Sequence, residues 1–267
     1  MMNNKGIVFF DVDGTLIDWR KDIYAPTNAT KEAINKLKEN GYLTVLATGR
    51  PKSSITNEIV DLGLNGYIAS NGAYAEIENE LIFNECINNK KLEGILSFLE
   101  ENDIVYILEG QENNYVLDIN NEKVRDLVTK ANLGIENFTE DWEKDTVKTS
   151  KIIAIGKDIN SYKLVCDRYK DEGLAFMANQ FGDTFEIYVS KYTKGYGVDH
   201  LLEKLGIDRE NAYAFGDGEN DIEMFQVVKH GIAMGGYHKG LEEHAFDFTE
   251  DVENEGIAKG LKKLELI

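Results

Sequence analysis

Acidic residues end the first apolar segment of this chain and carry its clearest chemical signal. The apolar run ends in Asp11 and Asp13, which are followed by Gly14 and Thr15. In an extended chain residues i and i+2 point to the same side, so both carboxylates leave the strand end together. Crowded carboxylates repel each other, and a divalent cation or a shared proton relieves that repulsion. Taken alone, the segment also fits two solvated acids in a turn.

Polar residues also follow the other segments that read as core strands. They are Thr48, Gly49 and Arg50 after the second strand, Asn71 and Gly72 after the third, and Asp217, Asn220 and Asp221 after the fourth, with Lys194 opening the helix before the fourth. Because open α/β sheets bind ligands at the carboxyl ends of their strands, these groups are expected to converge. Acids suit a hard cation, while a hydroxyl and an ammonium group suit phosphate oxygens. The pattern therefore predicts a phosphoryl-transfer site.

The elements that position these residues alternate between strand and helix. We predict strands at 7–12, 42–47 and 67–70, helices at 30–40 and 53–62, and a hairpin at 73–83. After residue 192 the alternation resumes, with helices at 196–205, 221–228 and 256–264 and strands at 212–215 and 231–234. Alternation of this kind is typical of a parallel sheet with covered faces.

A different rhythm separates these two parts. From 86 to 190 the order is helix, strand, strand, helix, strand, helix, strand, strand, which is typical of an α+β domain. The prediction is an α/β protein. A doubly wound, Rossmann-like parallel-sheet core (1–85 and 191–267) is interrupted by an inserted α+β cap (86–190).

Composition limits the partners and the compartment. The 267 residues carry a formal charge of −19, which argues against nucleic acid and anionic membranes as partners. Cys86 and Cys166 fit no metal or redox spacing, so we expect reduced thiols. The first apolar run is too short for a signal peptide, and no run approaches a membrane span. We expect a cytoplasmic protein, either a monomer or a homodimer.

The motifs resemble those of the haloacid dehalogenase superfamily, specifically its Cof-type phosphatases with a type IIB cap. Asp11-Val12-Asp13-Gly14-Thr15 looks like the first motif, Thr48 the second, Lys194 the third, and Gly216-Asp217-Gly218-Glu219-Asn220-Asp221 the fourth. The resemblance covers nearly the whole chain. It implies the same core and cap, and a phosphatase that uses Mg²⁺.

Roles for single residues follow from that resemblance. It implies that Asp11 is the nucleophile that forms an aspartyl phosphate and that Asp13 is the general acid and base. Mg²⁺ would be held by Asp11, the backbone carbonyl of Asp13, and Asp217, with Asp221 either binding the ion or supporting a group that does.

The remaining candidates would bind the phosphate or the substrate. The resemblance implies that Thr48 and Lys194 bind the phosphoryl oxygens and that Asn220 places Lys194 or the phosphate. Lys191 competes with Lys194 for the cation role but fits the Lys-Gly pair less well. The weaker candidates are Gly49, Arg50, Asn71 and Gly72, where Arg50 could equally open a surface helix and Asn71-Gly72 could be a plain turn.

Three function classes remain at this stage. The leading one is a Mg²⁺-dependent hydrolase of small phosphate esters, either sugar phosphates or phosphorylated cofactors. The alternative is a sugar phosphomutase or phosphotransferase using the same site. A non-catalytic protein is disfavoured because the acids are present at every motif position, and a dehalogenase is disfavoured because Asp13 would have no task. Substrate choice is expected to lie in 86–190, with candidates at Tyr106, Tyr115, Arg125, Trp142 and Tyr188.

Overall fold

The chain folds as two compact units in the computed structural model, which describes residues 4–130 and 133–267. The core unit consists of Met1–Gly49, Ile55–Asn84 and Thr193–Ile267. The insert unit consists of Arg50–Ser54 and Glu85–Tyr192. Residues 1–3 of the predicted core and 131–132 of the predicted cap lie outside the described residues.

Strands and helices are numbered in chain order across both units. The strands are β1 (Gly6–Phe10), β2 (Tyr42–Ala47), β3 (Gly66–Ala69), β4 (Tyr74–Ile77), β5 (Glu80–Asn84), β6 (Val105–Glu109), β7 (Asn114–Val116), β8 (Phe138–Thr139), β9 (Lys151–Ile155), β10 (Leu174–Ala178), β11 (Thr184–Val189), β12 (Ala212–Gly216), β13 (His230–Ala233) and β14 (Asp247–Phe248). The helices are α1 (Asn28–Glu39), α2 (Asn57–Val60), α3 (Asn89–Glu101), α4 (Glu122–Lys130), α5 (Ile159–Tyr169), α6 (Lys194–Leu205), α7 (Ile222–Val227) and α8 (Gly256–Lys263).

The core unit contains one sheet in the order β14-β13-β12-β1-β2-β3-β4-β5. From β14 to β3 the neighbouring strands are parallel, and β4 and β5 add an antiparallel hairpin at one edge. The chain runs outward from β1 in one direction through β2 and β3 and later in the other through β12 and β13, so β1 lies at the point where ligands bind in such sheets. The predicted α/β, doubly wound fold is confirmed.

Helix α1 illustrates how the sequence builds the covering layer. The side chain of Thr27 accepts a hydrogen bond from the backbone N–H of Thr30 and caps the first turn. Ala33, Ile34 and Leu37 are buried at helical spacing against the sheet, as predicted from their periodicity. Gly41 then adopts a φ of +88°, the left-handed conformation expected of a residue just beyond a helix.

The insert unit contains a six-stranded sheet in the order β10-β11-β9-β6-β7-β8. Its elements follow the predicted order, with the two-residue strand β8 added between α4 and β9. Tyr106 and Leu108 of β6 belong to the same apolar cluster as α3 and α5, whereas Ile107 belongs to a second cluster with α4. Helices therefore pack on both faces of this sheet.

The predicted helix at 53–62 is wrong. Only Asn57–Val60 forms an α-helix, and Lys52–Ser54 is a separate 3₁₀ turn. The reason is that Arg50–Ser54 leaves the core unit, and within the insert unit the Ser53 hydroxyl donates a hydrogen bond to the Gly110 carbonyl at 2.8 Å. Such bonds compete with a continuous helix. The other predicted core elements are present, with ends displaced by at most two residues.

Two further expectations concern the thiols and the membrane. Cys86 and Cys166 are not joined in a disulfide. Within the described parts of the chain, no helix has the length and apolar character needed to cross a bilayer.

Candidate active site

Three buried carboxylates meet at the carboxyl end of the central strands. Phe10 of β1 is paired with Phe215 of β12, and the backbone N–H of Asp11 donates to the Phe215 carbonyl at 3.0 Å. The ladder therefore extends to Asp11 and places it beside the end of β12, which Asp217 follows directly. Asp11, Asp217 and Asp221 each offer a carboxylate oxygen within 4.8 Å of the others. We call these three residues the carboxylate group.

Lys194 lies inside this group and is only 1% exposed. Its Nζ atom is 2.5 Å from Asp11 Oδ1 and 2.6 Å from Asp221 Oδ1. The lysine is the first residue of α6, whose start is capped by the Thr193 side chain. Burial alone lowers the pKa of Lys194, but Asp11 and Asp221 outweigh burial and raise this pKa above its usual value. The two carboxylates therefore favour the charged form of the lysine.

Asp221 has both of its carboxylate oxygens engaged. Oδ1 accepts from Lys194, while Oδ2 accepts from the backbone N–H groups of Asp217 at 3.0 Å and Gly218 at 2.9 Å. Asp221 thus orients the lysine and shapes the loop that carries Asp217. The structure thus shows how Asp221 could support other residues of the site, while its carboxylate also belongs to the group that could hold a metal ion.

Asp217 is held against the loop that follows β1. Gly14 has a φ of +90°, and a Cβ atom there would lie 2.1 Å from Asp217 Oδ2. Only glycine leaves room for this carboxylate. The Thr15 hydroxyl is 3.5 Å from Asp217 Oδ1, so both residues after Asp13 serve the position of Asp217.

The electrostatics of the carboxylate group favour a bound cation. Burial raises the pKa of Asp11 well above its usual value, against the opposing effect of Lys194. Burial, with Asp221 as the second cause, raises the pKa of Asp217 to about 6. Oxygen ligands that are buried, close together and costly to ionise fit a hard divalent cation, which would favour their charged forms. The donor set thus suits Mg²⁺.

Asp13 occupies a different place from the other acids. It is half-buried, and within residues 4–130 and 133–267 its carboxylate is not part of the carboxylate group. The predicted contribution of Asp13 to the metal is its backbone carbonyl, which leaves the side chain for proton transfer.

Thr48, Asn71 and Asn220 are connected with one another in the core unit. The backbone N–H of Asn71 donates to the Thr48 carbonyl at 3.1 Å, and Asn220 Nδ2 is 3.5 Å from Asn71 Oδ1. A Cβ atom on Gly49 would lie 2.9 Å from Asn71 Oδ1, so Gly49 allows this close packing. The structure therefore brings together Thr48, Gly49, Asn71 and Asn220, which come from the three loops after β2, β3 and β12.

Gly72 and Arg50 each make a contact that the sequence did not indicate. A Cβ atom on Gly72 would lie 2.0 Å from the Thr193 carbonyl oxygen, so Gly72 lets its loop approach the start of α6. Its structural contribution is to the position of Lys194. Arg50 belongs to the insert unit, where Nη1 is 3.4 Å from the Ser54 carbonyl.

Sequence reasoning missed Arg20 and Asp18. Arg20 Nη2 is 3.5 Å from Asp217 Oδ2, and Arg20 Nε is 2.7 Å from Asp18 Oδ1. The available signal was weak: an aspartate followed two residues later by an arginine, just after the first motif. Such a pair is common in surface turns.

Comparison with known proteins gives the family. The family model for haloacid dehalogenase-like hydrolases matches residues 8–261. The chain belongs to this family. The resemblance drawn from the motifs is thereby confirmed, and so is the enzyme class: the protein is a phosphatase of the haloacid dehalogenase-like family.

Individual members of the family are similar along their full length. The putative phosphatase YkrA of Bacillus subtilis is 26% identical over 98% of both chains. From the same organism, the 5-amino-6-(5-phospho-D-ribitylamino)uracil phosphatase YitU is 23% identical over 96% of both. Among solved structures, the subclass IIB sugar phosphatase BT4131 is similar with a TM-score of 0.80 and 25% identity, over 98% of this chain and 100% of that chain.

Proposed function

We propose that this haloacid dehalogenase-like protein is a Mg²⁺-dependent phosphatase that hydrolyses small phosphorylated metabolites through an aspartyl phosphate on Asp11. The observation that carries the proposal is the carboxylate group with Lys194 bonded between Asp11 and Asp221. It combines a nucleophile, a resident cation and oxygen ligands for a metal at one sheet edge.

In the first step a carboxylate oxygen of Asp11 attacks the phosphorus of the ester. The new oxygen–phosphorus bond forms while the bond to the leaving oxygen breaks, and Asp13 donates a proton to that oxygen. In the second step a water attacks the same phosphorus, Asp13 takes its proton, and the Asp11 carboxylate is released with inorganic phosphate. Asp13 lies two residues from the nucleophile and outside the carboxylate group, which suits both proton transfers.

Lys194 contributes charge and position. An ammonium group has three N–H bonds, and two of them serve Asp11 and Asp221, so that the third is available for a phosphoryl oxygen. Asp11, Asp217 and the backbone carbonyl of Asp13 would hold the Mg²⁺, with Asp221 supporting them. The ion would supply the charge that lets a carboxylate approach an anionic phosphoryl group.

The substrate class proposed is sugar phosphates or phosphorylated cofactors. Similarity to a sugar phosphatase and to a phosphatase of a phosphoribitylamino-uracil supports this range. The charge of −19 supports a small-molecule substrate over nucleic acid or an anionic membrane, and we propose a cytoplasmic protein that acts as a monomer or homodimer.

Substrate choice is proposed to lie in the insert unit, corresponding to the predicted cap at 86–190. Tyr106 and Trp142 are engaged in its own framework, through a hydrogen bond from Tyr106 to Glu100 and one from Trp142 to the Val116 carbonyl. Tyr188 lies on the sheet face that carries Lys151 and Glu186, since Tyr188 is paired with Lys151. Tyr188 is therefore the candidate that we would change first.

The decisive experiment is phosphate release from a panel of sugar, cofactor and aryl phosphates, with Mg²⁺ and with excess chelator. We expect release only with the metal, and no release by Asp11→Asn. Tyr188→Phe should alter kcat/KM unequally across the panel while p-nitrophenyl phosphate is hardly affected. Full turnover in excess chelator would show that phosphate release does not require a metal ion. Transfer of the phosphoryl group to a second sugar hydroxyl without phosphate release would establish a phosphotransferase instead.

A further inference from the structure

The turn after the first motif holds an arginine at the carboxylate group. Asp18 closes this loop, because its backbone N–H and carbonyl bond to Ile23 at 2.9 and 3.0 Å. The Asp18 carboxylate then accepts from the backbone N–H of Arg20 at 3.2 Å and from its Nε at 2.7 Å. The base of the guanidinium is therefore fixed by a buried acid.

The other end of this guanidinium reaches a proposed metal ligand. Arg20 Nη2 lies 3.5 Å from Asp217 Oδ2, and the side chain of Arg20 is 52% exposed whereas that of Asp217 is 8% exposed. Arg20 thus lies on the solvent side of Asp217 and is half exposed, whereas Lys194 is buried. The carboxylate group therefore contacts two cations: Lys194 in its interior and Arg20 at Asp217 Oδ2.

We propose that Arg20 is the resident counter-ion of Asp217, and that a divalent cation must displace it to bind. The inference rests on the proposed function, since it requires the carboxylate group to hold the metal. A contact of 3.5 Å is long for a hydrogen bond, so the bond to Asp217 is the weaker of the two that hold the guanidinium. The bond to Asp18 keeps the displaced guanidinium at the edge of the site.

Like charges near one carboxylate oppose each other, which gives the direction of the effect. Arg20 lowers the affinity of the carboxylate group for a divalent cation, and removing its charge raises that affinity. Arg20 is accordingly a positioning residue that acts on metal binding through Asp217.

The neighbouring Lys21 provides a matched control. It belongs to the same turn and has the same charge, but its Nζ pairs with Asp251 Oδ2 at 2.7 Å and Glu253 Oε1 at 2.9 Å, outside the carboxylate group. A general effect of loop charge would appear in both Arg20→Gln and Lys21→Gln. An effect through Asp217 would appear only in Arg20→Gln.

Trp19 supplies a readout besides activity. It is next to Arg20 and 56% exposed, and the chain contains only one other tryptophan, Trp142. In a Trp142→Phe background the fluorescence therefore reports on this turn. Mg²⁺ alone, without substrate, would be titrated into each variant, with calorimetry giving the affinity at constant ionic strength.

We expect Arg20→Gln to bind Mg²⁺ roughly three- to tenfold more tightly than the parent protein. Lys21→Gln should stay within about twofold, because the screened charge lies farther from the ion. Arg20→Lys should return most of the way to the parent affinity. The Trp19 emission should change on Mg²⁺ binding in the parent, and the change should be largely absent in Arg20→Gln.

Two results would separate the possible failures. Parent-like or weaker Mg²⁺ binding by Arg20→Gln, with the parent protein binding Mg²⁺ and releasing phosphate, would overturn the counter-ion role alone. A parent protein that releases phosphate without binding Mg²⁺ would overturn both this inference and the metal in the proposed function.

Discussion

Each unit of this protein buries a lysine between two carboxylates, and the two clusters differ in what surrounds them. In the core unit Lys194 lies between Asp11 and Asp221. In the insert unit Lys151 lies 2.8 Å from Glu109 and 2.8 Å from Glu186. By residue type and burial alone, both clusters would pass for active sites.

Their positions in the fold are different. Glu109 and Lys151 are direct partners on β6 and β9, and Glu186 lies on the next strand, β11, so this cluster joins three neighbouring strands on one face of a sheet. Asp11 and Asp221 follow strand ends, and Lys194 opens a helix. Loops at the carboxyl ends of parallel strands leave space for a ligand. Side chains that pair across neighbouring strands contact each other instead, so they leave less space for a ligand.

Charge balance separates the clusters as well. Burial raises the pKa of Glu109, and Lys151 and Arg50 both act against it, so two cations face two acids within the insert unit. In the core unit Asp217 adds a third acid, and its own partner Arg20 is half exposed. A lysine between two acids thus has a structural role when the positive and negative charges of its cluster balance. It becomes a candidate site where the acids exceed the buried cations.

The sharpest test of this distinction is the pair Asp11→Asn and Glu109→Gln. Asp11→Asn removes the proposed nucleophile at constant size, so kcat should fall by roughly 10⁴ or more and acid quenching should trap no phosphoenzyme. Glu109→Gln should keep kcat on p-nitrophenyl phosphate within about twofold, since it touches no reacting atom. An acid-stable phosphoenzyme in Asp11→Asn would show that another residue is the nucleophile.

A smaller loss is expected at Asp13. Asp13→Asn removes the proposed general acid and base, and kcat should fall by roughly 10²–10⁴. The loss should be larger for alkyl phosphates than for p-nitrophenyl phosphate, because a poor leaving oxygen needs the proton more. Equal losses on both esters would argue against Asp13 as the acid in the first step.

We expect Lys151 to contribute to the stability of the fold and to have little effect on kcat. Lys151→Met leaves the buried Glu109 and the partly buried Glu186 without their shared cation, so the free energy of unfolding should fall by about 3–5 kcal/mol. Denaturant unfolding measures this loss, and kcat per folded molecule on p-nitrophenyl phosphate should be unchanged. If instead kcat collapses while stability is retained, the insert-unit cluster takes part in the reaction and the contrast drawn above fails.

Most of the core unit could be predicted from the sequence because the alternation of strands and helices and the positions of the polar residues indicated the same fold. Alternating elements and strand-end acids gave the fold and brought Asp11, Asp217, Asp221 and Lys194 into one group before any geometry was known. The helix at 53–62 failed because its polar start bonds to Gly110 and Gln111 of the insert unit, contacts that are distant in sequence.

Other features of the site could not be predicted from the sequence, because they depend on the direction in which single side chains point. The contact of Arg20 with Asp217 joins residues far apart in the chain. The local sequence distinguishes Arg20 from Lys21 only by the aspartate two residues before Arg20, although the partners of the two side chains differ entirely. The two oxygens of Asp221 likewise show their separate tasks only in three dimensions.

The smallest expected effects compare one glycine from each unit. Gly72 has a φ of +88°, and its Cβ would lie 2.0 Å from the Thr193 carbonyl, whereas Gly94 in α3 has nothing within 4 Å. Gly72→Ala should therefore lower the free energy of unfolding by about 1–3 kcal/mol and shift the start of α6, which lowers kcat for every ester because Lys194 moves. Gly94→Ala should raise stability by about 0.5–1 kcal/mol without changing kcat, since alanine only restricts the unfolded chain in a helix interior. Thermal unfolding and kcat on p-nitrophenyl phosphate measure both variants. Wild-type stability and kcat in Gly72→Ala would mean that the close approach of this loop to α6 does not position the lysine.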